Sequence, residues 1–297
     1  MREWGELADT EKAQAARFFV DHNRNYAVTA EQYKLQDTSN TQRKLRHWAR
    51  SERIPDSLTP RYVDEVVALS GDVLTIGDLE IPDQDAWVIE KAVTVGDKFG
   101  IDQLVINGDL MAMDGFSPYA PLVPRAQGTK DEIKLAVKVL HLLGEVFPSI
   151  SLLMGNHDRR MMARTFGELS LFDLLELQCP NIKLTPFSQV HLSSGGRDWL
   201  ICHPDNYAKI PGSVARELAE IHHMNVIAAH THHLSWSLDK SGHYQCIDGG
   251  HCRDADRTLY KTAKVTRHPA WAAGFTTVRN GYGSLFSKAH TDWSSLG

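Results

Sequence analysis

Apolar and polar positions along the chain fall into two regimes. From Val73 onward, short continuous apolar runs alternate with stretches in which apolar residues return at helical spacing. Val73–Gly77, Leu104–Asn107 and Ile150–Met154 are runs of strand length, each followed by a polar loop. Between the first two, Trp87, Val88, Ala92, Val95 and Phe99 share one helical face, and Gly100 supplies a stop. Thr129 and Glu132 are spaced as a capping box, opening a helix through Ile133, Val137, Leu140 and Phe147. Farther on, Val190–Ser193 and Trp199–His203 flank a turn over 194–198 and predict a hairpin. A helix over 213–223 leads to a strand at Asn225–Ala229, with further strands at Tyr244–Ile247 and Phe275–Arg279 and a turn at Asn280-Gly281. This rhythm predicts a layered α/β domain whose second half is more antiparallel.

The first 60 residues read differently and predict a small all-helical module, leaving 61–297 as the α/β domain. Asp9–Asp21 suits a helix with Ala13, Ala16, Phe19 and Val20 inward, and a short helical pattern covers Thr29–Leu35. After the cap candidates Thr38, Ser39 and Asn40, a third helix begins near Thr41 with Leu45, Trp48 and Ala49 inward. It carries Arg43, Lys44, Arg46, Arg50 and Arg53 against one acid, Glu52. Three short helices with a basic last one resemble a helix-turn-helix unit, whose second motif helix lies in a major groove. The same pattern suits an accessory subdomain with a solvated basic face. Ile54-Pro55 and Leu58-Thr59-Pro60 read as the linker.

Composition narrows the class. The 297 residues are 42% hydrophobic and 23% charged, ordinary for a globular chain, and the formal charge of −5 is too mild to make the whole molecule a polyanion binder. No apolar stretch approaches the roughly 20 residues of a bilayer span, and Met1–Glu6 lacks a secretory pattern. Cys179, Cys202, Cys246 and Cys252 form no C-x-x-C pair, which argues against a disulfide scaffold or a zinc ribbon. A soluble, cytoplasmic protein is expected. Histidine changes the picture: of fifteen, only His22, His47 and His141 precede residue 150. The rest lie among Asp and Asn near strand ends, as a metal or acid–base site would require.

The residues just past the strands form a consistent set. Gly77-Asp78-Leu79-Glu80, Gly108-Asp109, Gly155-Asn156-His157-Asp158, His203 and Ala229-His230-Thr231-His232 each close an apolar run. Residues two apart on an extended segment share a face, so Asp78 with Glu80, and His230 with His232, can each aim two donors at one ion. The glycines before Asp109 and Asn156 permit sharp turns and close backbone approach. Mixed carboxylate, amide and imidazole donors favour Mn²⁺, Fe²⁺ or Zn²⁺ over a calcium cage.

This order of motifs resembles the calcineurin-like metallophosphoesterases of phage and bacterial type, with their D-x-H, G-D, G-N-H-D, lone His and G-H-x-H. The resemblance spans roughly Val73 to Phe286. It implies two packed mixed β-sheets flanked by helices, and hydrolysis of phosphoric esters at a two-metal centre. By position, Asp78 and His232 would hold a first ion, Asp109 would bridge, and Asn156, His203 and His230 would complete a second. His157 would face the scissile phosphate without binding metal, and Asp158 would orient it. Glu80 stands where the family has His, and Ala229 where it has Gly. Glu80 either ligates, favouring Mn²⁺ or Mg²⁺ over Zn²⁺, or points away and leaves the first site weak. His222 and His223 end a helix and, with His233, are not expected as ligands; His251 is a candidate for the rim. Asp83, Asp85 and Asp114 read as turn or cap residues, and Tyr119 with the loop 118–128 as a cleft wall.

The segment Gly108–Asp114 lacks the V-D-R-G of the protein Ser/Thr phosphatases in that superfamily. The preferred expectation is a phosphodiesterase or nuclease, with two divalent ions (Mn²⁺ foremost) and with Arg43, Lys44, Arg46 and Arg50 contacting the phosphates of DNA or RNA. A small-molecule phosphatase or phosphodiesterase is the alternative, and a nucleic-acid-binding regulator with a degenerate site a third. No membrane partner is expected.

Overall fold

The computed structural model describes residues 1–22, 25–36, 38–51, 66–118, 128–175, 181–257 and 270–296. The chain divides into two compact units, Met1–Tyr62 and Val63–Gly297.

The first unit holds α1 (Asp9–Asp21), α2 (Tyr26–Tyr33) and α3 (Ser39–Ser51) after a 3-10 turn at Trp4–Glu6. Trp4, Leu7, Ala15, Ala16, Phe19, Leu35 and Leu45 form its core, while Ala13 is only partly buried. Helix α2 starts three residues before the expected Thr29, because the Asn25 side chain accepts the amides of Ala27 and Val28. Thr38 does the same for Thr41 at the start of α3 (3.1 Å). The side chains of Val20, Ala49 and Arg50, together with Glu52, Arg53 and the linker, lie outside the described residues.

The second unit is a sandwich of two six-stranded mixed sheets, the architecture the motifs implied. One sheet contains, in order, β1 (Val67–Ser70), β6 (Gln189–Ser194), β7 (Arg197–Cys202), β8 (Asn225–Ala228), β10 (Gln245–Gly249) and β9 (Leu234–Leu238). The other contains β12 (Tyr282–Ser287), β11 (Gly274–Arg279), β2 (Val73–Ile76), β3 (Gln103–Ile106), β4 (Ser149–Leu152) and β5 (Ile182–Leu184). Apolar side chains from both sheets, among them Val73, Val105, Leu153, Trp199, Ile201, Ile227, Ile247 and Val278, meet in one buried cluster, the filling of the sandwich. Helices α4 (Ala86–Phe99) and α5 (Thr129–Val146) join the core built on Leu74, Leu104, Ile106 and Ile150, and α8 (Ser213–His222) packs on Leu200, Val226 and Cys246. Two five-residue helices, α6 (Arg160–Arg164) and α7 (Leu171–Leu175), come after β4.

One local expectation is overturned. Helix α5 is capped at Gly128 without a side-chain bond, and Thr129 and Glu132 form no capping box. Glu132 is buried instead and accepts the Met113 amide (2.5 Å), which fastens the loop after β3 to the helix. Cys202, Cys246 and Cys252 are free and buried, and Cys179 is outside the described residues, as is most of the expected wall, 119–127.

The sheet directions place the site. Strands β2, β3 and β4 are parallel neighbours, so their carboxyl ends open on one edge. Strands β7, β8 and β10 are also mutually parallel. Every candidate metal-donor motif read from the sequence lies just past one of these strands.

Candidate metal centre

The backbone turns sharply as it leaves the strands. Asp78 (φ 49°), Glu80 (45°), Asp109 (49°), His230 (75°) and His232 (59°) all adopt left-handed conformations that L side chains seldom take. Cross-loop amides hold them there: Asp78 N–H donates to Gly108 O (3.1 Å) and Glu80 N–H to Asp109 O (2.9 Å). Glycine is required at two of the crossings. A Cβ on Gly108 would run into the His203 ring, and one on Gly155 into the Asp109 carboxylate.

These turns bring the predicted donors into one cluster, in which Asn156 and His230 are half-buried and the others buried. His232 Nε2 lies 3.2 Å from both Asp78 Oδ1 and Glu80 Oε1. The His230 amide donates to Asp78 Oδ2 (3.1 Å). Ligand atoms of Asp109, His203 and His230 fall within 4.8 Å of one another, and so do those of Glu80, Asp109 and His157. His203 Nδ1 donates to the Asn107 carbonyl (2.9 Å), which turns Nε2 toward Asn156 Oδ1 (3.1 Å) and Asp109 Oδ2 (3.4 Å). Glu80 points into the group, not away from it.

The electrostatics follow from burial. Asp78, Glu80 and Asp109 are carboxylates at most 2% exposed. Burial opposes the ionised forms of Glu80 and Asp109, but neighbouring basic side chains outweigh it and hold both well below the usual carboxylate range: chiefly His157 and Arg253 for Glu80, His203 and His157 for Asp109. Burial likewise works against charge on His203 and His232. The Asp109 carboxylate nevertheless lifts His203 to about 9, and Asp78 with Glu80 lifts His232 to about 10. His230 is lowered, by burial and then by His203. Protons thus sit where lone pairs face carboxylates, positions a metal ion competes for. Three converging buried carboxylates with imidazole and amide donors fit a divalent transition ion.

Asp158 departs from its expected role. Its carboxylate accepts the amides of Gly155 (2.9 Å), Met111 (3.3 Å) and Leu110 (3.4 Å), and it makes no bond to the His157 ring. It joins the loops after β3 and β4. Burial, then the Asp109 charge, raises it to about 6. Arg160 is the residue that touches the His157 ring, with Nη2 2.7 Å from Nε2, while its Nη1 bonds Ala112 O (2.7 Å) and Asp114 (2.9 Å). Arg160 carried no sequence signal beyond lying three residues after His157.

Other histidines sort by burial. His251 is 1% exposed and lies behind His232 (ring centroids 5.3 Å), so it is not at the rim; burial drives it down to about 3. His222 and His223 are exposed at the end of α8, and His233 is buried 3.7 Å from Asp248. Asp85 caps α4 through Val88 N–H (3.3 Å). Asp83 pairs with Arg253 (3.0 Å), a buried guanidinium that also pairs with Glu80. Sequence reasoning missed Arg253; its place two residues after His251, past a strand end, was the available signal. Tyr207, 56% exposed with its ring 6.4 Å from that of His230, was missed as well.

No family model and no curated protein matches the chain. Among solved structures it is similar to Vacuolar Protein Sorting 29 from Cryptosporidium parvum, at 14% identity over 73% of this chain and 96% of that one, TM-score 0.41. It is also similar to Vps29 from Entamoeba histolytica complexed with Zn²⁺, at 12% identity over 73% and 97%, TM-score 0.39. A third is a conserved uncharacterized protein of Streptococcus pneumoniae described as a predicted phosphoesterase, at 14% identity over 73% and 98%, TM-score 0.28.

Proposed function

We propose that this chain hydrolyses phosphoric esters with the help of divalent metal ions, as a phosphodiesterase acting on nucleic acid. Its main support is the convergence of Asp78, Glu80, Asp109, Asn156, His203, His230 and His232 on one cluster with His157 beside it. Asp109, Asn156, His203 and His230 would hold one ion, and Asp78, Glu80 and His232 a second. The carboxylate share favours Mn²⁺ over Zn²⁺. Bound there, the ions would lower the pKa of a water and neutralise charge on the phosphoryl oxygens.

The chain's own groups do the rest. Asp109 receives the His157 amide (2.7 Å), which ties the loop carrying His157 to the metal-binding carboxylate. A guanidinium has no lone pair, so Arg160 makes Nε2 of His157 the accepting nitrogen and leaves the ring proton on Nδ1. His157 is only partly buried and, facing the scissile phosphate, would stabilise the charge that builds on the leaving oxygen as the ester bond breaks. Arg160 and Arg159 bring positive charge to the same loop end, suited to an anionic substrate.

Nucleic acid as substrate is supported by the first unit. Its α3 carries Arg43, Lys44 and Arg46 with no acid between Ser39 and Ser51, and a cavity of about 430 Å³ is lined by Trp4, Lys12, Arg43, Lys44, His47 and Trp48. Cations interleaved with indole rings suit phosphates and bases.

Two measurements test the reading. With Mn²⁺, the protein should cleave bis-p-nitrophenyl phosphate and leave p-nitrophenyl phosphate nearly untouched, and His157→Ala should lower kcat by about 10²–10³-fold. Preference for the monoester would remove the diesterase assignment, and undiminished turnover in His157→Ala would remove His157. Charge reversal at Arg43, Lys44 and Arg46 should weaken DNA or RNA binding and flatten its salt dependence while sparing the chromogenic diester. Unchanged nucleic-acid affinity would leave a small-molecule ester as the substrate.

A further inference from the structure

Arg253 lies inside the carboxylate cluster. It is 5% exposed, yet its Nη1 pairs with Glu80 Oε2 and its Nη2 with Asp83 Oδ2 (3.0 Å). It is placed from both sides: Gln84 forms an isolated bridge with Arg253, and the Arg253 amide donates to His251 Nδ1 (3.3 Å). The neighbouring backbone is fixed as well, since Cys252 N–H donates to Gly77 O (2.9 Å) and the Asp254 amide to Asp83 O (2.7 Å). The guanidinium is thus built into the floor of the site at the very carboxylate expected to help Asp78 and His232 hold an ion.

The two halves of the cluster therefore differ in charge. On the side of Asp109, Asn156, His203 and His230, one carboxylate meets neutral-capable donors, and no Lys or Arg pairs with Asp109 among the described residues. On the side of Asp78, Glu80 and His232, a permanent monocation already sits on Glu80. A divalent ion entering there meets repulsion at contact range in a buried setting, or must take Glu80 away from a partner that is itself desolvated. Arg stays charged at any working pH, so this competition has no acidic or basic escape.

We propose that Arg253 acts as a resident cation which makes the centre load unequally: one divalent ion binds tightly at Asp109–Asn156–His203–His230, and a second binds more weakly at Asp78–Glu80–His232, through Glu80 Oε1 and against the Arg253 charge paired with Oε2. This rests on the metal centre proposed above and adds to it an order of filling. Arg253 is a positioning residue, acting on the metal through Glu80.

The test is Mn²⁺ binding to the chelator-stripped full chain, read by calorimetry and by the electron paramagnetic resonance of free Mn²⁺. The wild-type protein should show one tight step and a second at least about tenfold weaker. Arg253→Met should tighten the second step by at least about tenfold and leave the first in place, while Arg253→Lys should stay near wild type. Glu80→Gln should abolish the second step and keep the first. Two equal steps in the wild type, or an unmoved second step in a cooperatively melting Arg253→Met, would overturn the proposal. Should Arg253→Met fail to fold, Glu80→Gln decides: loss of the tight step, or no change in either, overturns it. A chain that binds no Mn²⁺ at all would overturn the metal centre itself, a different outcome from two equal steps.

Discussion

At the scale of single residues, the cluster depends on side chains that accept from backbone as much as on the candidate donors themselves. Asp158 shows this most directly: its carboxylate collects three amides from two loops, and those loops carry Asp109 and His157. Asp158→Asn would set an amide nitrogen against N–H donors and leave at least one of them unpaired, at a cost of about 1–3 kcal/mol in urea denaturation. A loss below about 0.5 kcal/mol would show that the loops hold without it. The sequence placed Asp158 next to His157 and invited the idea of a direct contact. Adjacent residues on a tight turn point in different directions, and only coordinates say which neighbour each one meets. Arg160 reaches the ring instead because one helical turn, 157 to 160, brings it back over the same side.

At the scale of elements, the strands read from the sequence and the strands missed differ in a systematic way. Strands β2, β3, β4, β6, β7, β8, β10 and β11 were legible as apolar runs, and each has a hydrogen-bonded neighbour on both sides. The unforeseen β1, β5, β9 and β12 are the four sheet edges. An edge strand has one neighbour and an exposed flank, and in β9 (Leu234–Leu238) alternating Ser leaves no continuous run; β1 differs, since its apolar Val67-Ala68-Leu69 is as continuous as an inner strand. Energetics should divide in the same way. Trp199, fully buried in the sandwich on β7, should cost about 3–5 kcal/mol on replacement by Ala. Trp236 on β9, 50% exposed, should cost less than about 1 kcal/mol in the same denaturant titration. Equal losses would mean that β9 contributes to the core in a way its exposure does not show.

At the scale of the whole molecule, the cluster makes stability depend on pH in a way metal should remove. In the stripped protein, His203 and His232 are raised from 6.5 to about 9 and about 10. A raised histidine favours the folded state fully below its unfolded value, and that contribution is lost as pH climbs through the folded one. The melting temperature of stripped protein should therefore fall between about pH 6.5 and pH 10, and Mn²⁺ should flatten the decline by replacing the protons. A parallel decline with and without Mn²⁺ would show that these imidazoles are not ligands. The chain by itself determined what was local: runs of the right length and period, glycines where two loops cross, and donors one to four residues past the strand ends. The partners across the site, by contrast, were settled by folding. Arg253 meets Glu80 across 173 positions of chain, and Leu110 meets Asp158 across 48. Periodicity reports on neighbours within a few residues, whereas the charge balance of a buried cluster is fixed by which strand ends the sheets bring side by side.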